Sequence, residues 1–143
     1  MKKILFLLLC VGLWGNVDAQ RSNIKRLQGV YDSIKAAGIR HPDVVMAQCI
    51  QETGWLECNR CCLGYNNLFG FYNKSKKCMR FSTEGDCIAY YKKWQDKRYD
   101  KWHNTYPGQD YFHFLKSVKY ATGDKYTAEV KPALDWVRKN LSL

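Results

Sequence analysis

The run Ala47-Gln48-Cys49-Ile50-Gln51-Glu52-Thr53-Gly54-Trp55 ends a mostly apolar stretch with one carboxylate, directly before a glycine and a tryptophan. Counting from Pro42, which with Asp43 suits a helix start, Glu52 falls in the last turn of a helix that Gly54 can stop. A helix C-terminus carries partial negative charge, which disfavours ionisation of a carboxyl group there, and an apolar neighbour such as Trp55 strips water from it. Both effects raise its pKa. A carboxylic acid that stays protonated near neutral pH is what general-acid cleavage of a glycosidic bond requires. The plainer alternative is a solvated acid at a helix end beside a core tryptophan.

The second group of reactive residues is the cysteines. Cys49, Cys58, Cys61, Cys62, Cys78 and Cys87 follow an N-terminal segment that reads as a secretory signal: Lys2 and Lys3, then the apolar run 4–14, then Val17-Asp18-Ala19 before Gln20. That apolar run falls short of the about 20 residues a membrane helix needs, so stable membrane insertion is not expected. Lipid anchoring through Cys10 is the lesser alternative, because "LLLC" lacks a small residue just before the cysteine. An even number of cysteines in an exported chain favours disulfides, with the connectivity left open. Zinc competes weakly: Cys58 and Cys61 form one CxxC, but Cys78 and Cys87 stand too far apart for its second half. Neighbouring Cys61 and Cys62 are not expected to pair with each other. The disulfides would staple the segment after Glu52 to the stretch between Cys78 and Cys87. No metal and no cofactor are expected.

Residues 20–143, left after cleavage, suit one domain with its own core. The full chain of 143 residues carries a formal charge of +10, which favours encounter with polyanions without specifying chemistry. The lysines among the aromatics of Tyr90 to His103 do not argue for nucleic acid. Ile88, Tyr91, Trp94 and Gln95 share one helical face with Lys92, Lys93 and Lys97 elsewhere, which describes an amphipathic helix with a solvated side. A nucleic-acid partner is therefore not expected.

The elements that must position Glu52 are mainly helical. Ile24, Leu27, Val30, Tyr31 and Ile34 keep helical spacing up to Gly38, and the segment from Pro42 is apolar on most sides, as a buried helix would be. "FGFYN" and "KCMRF" read as two short strands around a turn at residues 73–77, and helices follow at 85–97, 109–118 and 124–141. Pro132 is expected to kink the last helix or delay its start. There is no repeat, linker or low-complexity segment.

Three motifs in order carry a resemblance. "VVMAQCIQETGW", then "NNLFGFY", then "KYATGDKYTAEV" are similar to the signature of bacterial N-acetylglucosaminidases of glycoside hydrolase family 73, the autolysin and flagellar-muramidase type. The resemblance implies an α+β, mainly α, lysozyme-like helical domain with a small β-hairpin lobe, here disulfide-braced. It also implies cleavage of the β-1,4 bond after N-acetylglucosamine in peptidoglycan glycan strands; the secretory signal adds an exported protein, periplasmic or extracellular, and a monomer is expected. Glu52 then matches the general acid, and Tyr120 a tyrosine near the acid and the reacting sugar. Trp55, Asn67, Phe69 and Tyr126 match substrate-cleft positions, with Phe69 on the cleft floor and Asn67 fixing its loop. Family members carry a second acid in the β lobe, yet residues 70–81 hold no Asp or Glu. Glu84 and Asp86 follow shortly after; they either reach the cleft or start the next helix, where acids suit the dipole. Without a second carboxylate the substrate's own N-acetyl group would attack the anomeric carbon. A catalytically inactive domain that only holds glycan is the competing reading.

Overall fold

A computed structural model of the chain describes residues 11–120 and 125–142, with side chains from residue 21 onward. The elements are α1 (Val11–Ala36), α2 (Pro42–Thr53), a 3₁₀ turn (Cys62–Tyr65), α3 (Glu84–Thr105), α4 (Tyr111–Ser117) and α5 (Tyr126–Asn140). Cys10, the first part of the expected signal, and residues 121–124 of the third motif lie outside the described residues. The expected cleavage point after Ala19 falls within the backbone of α1. No helix among the described residues is long and apolar enough to cross a membrane.

The centre of the fold is α2. Its residues 44–50 are all buried, including one polar side chain, Gln48, so it presents apolar atoms in nearly every direction. Leu27, Tyr31 and Ile34 of α1 cover it from one side and Val130, Leu134 and Val137 of α5 from another, with Tyr91 of α3 and Phe114 of α4 completing the cluster. Each large apolar side chain removed from water contributes about 1.5–3 kcal/mol, which is why a twelve-residue helix of β-branched and sulfur-containing residues holds its shape. Gly38, at φ 68°, turns the chain out of α1 toward α2, as its place after the periodic run suggested. The last helix starts at Tyr126 and runs through Pro132, which costs it a single backbone bond.

The expected β lobe is reduced to a turn. Among the described residues the only pairing is an isolated antiparallel bridge between Tyr72 and Cys78. Asn73 donates its N–H to the Lys77 carbonyl at 2.9 Å, and Met79 to the Phe71 carbonyl at 2.9 Å. No longer ladder forms because the buried Asn67 side chain stands in for one. Its amide nitrogen donates to the carbonyls of Phe71 (2.8 Å) and Met79 (3.0 Å), while its oxygen accepts the Phe71 N–H at 3.0 Å.

One disulfide closes, Cys62–Cys78, with Cα atoms 5.5 Å apart; it fastens the 3₁₀ turn after Glu52's segment to the far strand of the turn. Of the six disulfide candidates, Cys49, Cys58, Cys61 and Cys87 stand as thiols. Cys49 and Cys87 are buried in the core, where burial pushes the Cys87 thiol up to about 11, and Cys87 Sγ accepts the Leu68 N–H at 3.4 Å. The bridge spans 16 residues, and a loop near that length is worth about 3 kcal/mol. Reduction, or Cys78→Ser, should therefore lower the melting temperature by roughly 10 °C. A melting curve unchanged by reductant would contradict this role.

Candidate active site

Glu52 closes the last turn of α2, and the residues around it explain the motif that contains it. Thr53 donates its hydroxyl to the Cys49 carbonyl at 2.6 Å and accepts the Leu56 N–H at 3.0 Å, so the side chain both ends the helix and starts the next loop. Gly54, at φ 53°, takes the left-handed C-cap position, and its N–H returns to the Ile50 carbonyl. Trp55 emerges 38 % exposed and meets Trp136 of α5 edge-on, with ring centres 4.9 Å apart. The tryptophan thus stays partly open to solvent three residues after the acid.

The carboxyl group of Glu52 lies against the main chain of Gly70. A Cβ placed on Gly70 would stand 2.5 Å from Oε2 and 3.0 Å from the carboxyl carbon of Glu52, and Gly70 itself has φ 64°. Space and backbone conformation both demand glycine, so the last residue of "NLFG" is fixed by the acid that rests on it. Phe69, just before it, is fully buried and packs on Tyr91 with ring centres 4.6 Å apart. Tyr120 donates its hydroxyl to the Phe69 carbonyl at 2.5 Å, which ties the end of α4 to the same loop. Burial, then Tyr126, then Glu52 push the Tyr120 phenol well above its usual range, so it remains a hydrogen-bond donor.

Glu52 is half-buried, and its pKa is raised by burial first and by the charge of Glu129 second. The sequence reading did not single out Glu129. Its place follows from two anchors between α2 and α5: Gln48 donates to the Tyr126 hydroxyl at 3.2 Å, and Trp55 meets Trp136. Glu52 stands one turn beyond Gln48 toward Trp55, and the exposed Glu129 one turn beyond Tyr126 toward Trp136, near enough for its charge to act on Glu52. An acid three residues after the last motif tyrosine was the available signal; its relation to Glu52 depends on helix packing and is invisible in one dimension. Tyr126, with its phenol pushed up mainly by burial, completes the group.

Gln48, the glutamine of "AQ", is a buried hub. Its carbonyl accepts the Tyr91 hydroxyl at 2.8 Å, that hydroxyl lies 3.0 Å from the hydroxyl of Tyr111, and Gln95 donates to Tyr111 at 2.8 Å. Gln95 also pairs with both backbone groups of Arg40, at 2.8 and 2.9 Å, just before α2 begins. This satisfied polar chain fixes the start of α2 and its distance from α3, α4 and α5.

The remaining sequence candidates are placed as follows. Asn67 spends its amide on its own loop, and Phe69 is in the core beneath it. Glu84 and Asp86 begin α3: Thr83 and Asp86 form a capping box, and Glu84 pairs with Arg26 at 3.1 Å. The acids of the α3 start and the acid of α2 are thus held by different partners. No group of three or more potential metal ligands occurs among the described residues.

Comparison with protein-family models matches residues 28–136 to the glucosaminidase family, described as mannosyl-glycoprotein endo-beta-N-acetylglucosaminidase. No curated protein and no solved structure matches the chain. The matched span begins inside α1, ends inside α5, and contains Glu52, Gly70, Tyr120, Tyr126 and Glu129. The chain belongs to the glucosaminidase family, the family 73 N-acetylglucosaminidase domain that its three motifs resemble.

Proposed function

We propose that the protein is an exported peptidoglycan hydrolase that cleaves the β-1,4 bond after N-acetylglucosamine, with Glu52 as its general acid. The observation that carries this reading is the seat of the Glu52 carboxyl: half-buried, pressed on Gly70 of "NLFG", and raised in pKa by burial and by Glu129. In the protonated form Glu52 gives its proton to the departing glycosidic oxygen while positive charge develops at the anomeric carbon. Tyr120 acts as a positioning residue, because its hydroxyl holds Phe69 and thereby the glycine on which the acid rests. Trp55, with its partly exposed ring, and Tyr126, whose charge environment includes Glu52, are the aromatics suited to contact sugar.

The second carboxylate of the usual pair is absent from residues 70–81, and Asp86 is committed to its capping box. The proposed mechanism therefore has the substrate's N-acetyl oxygen attack the anomeric carbon as the leaving-group oxygen takes the proton. Water then opens the resulting cyclic cation, gives a proton back to the Glu52 carboxylate and leaves an N-acetylglucosamine reducing end. Glu129 serves by keeping the proton on Glu52. The competing reading, a domain that holds glycan without cutting it, is favoured only by the missing acid.

Glu52→Gln keeps the shape of the acid without the proton it supplies, and its turnover on purified peptidoglycan should fall about 10²–10⁴-fold while binding persists. Mass spectrometry of wild-type products should show new N-acetylglucosamine reducing ends. Equal clearance by both proteins would remove Glu52 as the acid, and no fragments from either would leave the glycan-holding reading in its place.

The pH profile tests the electrostatics separately. Only protonated Glu52 is competent, so the rate should fall as pH rises through its raised pKa. Removing the neighbouring negative charge makes ionisation easier, so in Glu129→Gln the alkaline limb should move to lower pH. An unmoved limb would remove Glu129 from the site.

A further inference from the structure

The turn after Gly70 carries four cations, Lys74, Lys76, Lys77 and Arg80, and no acid from residue 70 to residue 81. None of the four takes part in an ion pair among the described residues, although acids elsewhere are paired with Arg26, Arg40, Lys92 and Arg138. Four like charges on so short a turn repel one another, and no ion pair among the described residues offsets this. The role of stabilising the turn belongs to other groups. Asn73 accepts the N–H groups of Ser75 (2.9 Å) and Lys77 (3.1 Å) through its side chain, Phe81 donates its N–H to the Tyr65 carbonyl at 3.0 Å, and the Cys62–Cys78 disulfide joins the two walls.

Those walls border an open pocket of about 620 Å³, lined by Tyr65, Tyr72, Lys76, Lys77 and Arg80 among others. The Arg80 guanidinium lies 3.7 Å from the centre of the Tyr65 ring, a stacking that holds its position on the wall. Tyr72 is 61 % exposed, an unusual state for a ring in a braced segment. The cavity is not the space around Glu52. Phe71 turns its ring inward to Tyr90, Trp94 and Tyr120, and Tyr72, the next residue along the extended chain, turns to the other face.

We propose that this cavity is a second glycan site, which takes a sugar unit bearing a fixed anion, with the ring on Tyr72 and the anion on Arg80, Lys76 and Lys77. An exposed aromatic ring offers an apolar face to the C–H groups of a sugar, and the guanidinium offers paired donors to a carboxylate or phosphate. The site is preformed, because the disulfide and the Asn73 turn fix both walls before any ligand arrives. It deepens the proposed function, on which its choice of a glycan rests: a wall polymer with peptide carboxylates or phosphates would be held here while a neighbouring bond lies at Glu52.

The test measures binding apart from cutting. In the full chain carrying Glu52→Gln, affinity is measured for four probes: peptidoglycan fragments with free carboxylates, the same fragments with carboxylates amidated, a phosphate-bearing wall polymer, and a neutral N-acetylglucosamine oligosaccharide. Replacing Lys76, Lys77 and Arg80 together by Gln should weaken binding of the anionic glycan about tenfold or more. Binding of the neutral oligosaccharide should not change, and the melting temperature should not fall, because removing like charges from the turn relieves their repulsion. Tyr72→Ala should weaken the same anionic probe. Loss of affinity on amidation assigns the anion to the peptide carboxylates; loss confined to the phosphate polymer assigns it to phosphate. Unchanged binding of both anionic probes by the triple variant would overturn the proposal, as would equal affinity of the parent protein for DNA, which would mark a general polyanion surface. The binding result stands whether or not the wild-type protein cleaves glycan, so failure of this site and failure of the hydrolase reading are separate outcomes.

Discussion

A carboxyl group resting where a side chain is missing organises this molecule. The Glu52 carboxyl occupies the space beside the Gly70 main chain that a Cβ would fill, and there it is held away from bulk water. Two segments must meet closely for this to happen: the end of α2, set by Thr53 and Gly54, and the loop of residues 67–70, set by Asn67 and Tyr120. Burying an acid in this way works against stability. A glutamate whose folded pKa is raised binds more protons in the folded than in the unfolded state between the two pKa values, so stability falls as pH rises through that window. The fold sustains the cost through a core that encloses α2 on nearly every side.

The buried polar chain from Gln48 through Tyr91 and Tyr111 to Gln95 explains why that core does not let α2 slide. Apolar packing alone tolerates small shifts, whereas a buried hydrogen bond that is broken leaves a desolvated group costing about 1–3 kcal/mol. Gln48 comes from α2, Tyr91 and Gln95 from α3 and Tyr111 from α4, and together they set α2 against α3 and α4. Tyr126 joins through Gln48, which places the first turn of α5, and with it Glu129, opposite the acid. Position and charge at the site thus have one origin.

Much of this was legible in one dimension. The buried α2, its stop at Gly54 and the place of Glu52 follow from apolar density, a proline start and a glycine end. The glycine of "NLFG" and the helix start at Glu84 to Asp86 are likewise local features. What the sequence reading missed depends on distance in space. The two short strands were expected from aromatics flanking a turn, but Asn67 takes the Phe71 N–H and the Met79 carbonyl that the next rung of a ladder would use, and a single bridge remains. Six cysteines suggested a fuller set of bridges than the one that closes, because burial of Cys49 and Cys87 in the core is a property of packing. Glu129 escaped notice because a helix face acquires meaning only when its partner helix is known.

The account turns on the protonation state of one side chain. Carbon-13 labelling of glutamate side chains, with the Glu52 resonance assigned through Glu52→Gln, would report its titration directly in the intact protein. The structure predicts a Glu52 midpoint clearly above the ordinary glutamate value of about 4.3, set by burial and by Glu129. A midpoint at or below that value would mean that Glu52 is a solvated or charge-stabilised carboxylate at neutral pH, and would contradict its assignment as the proton donor.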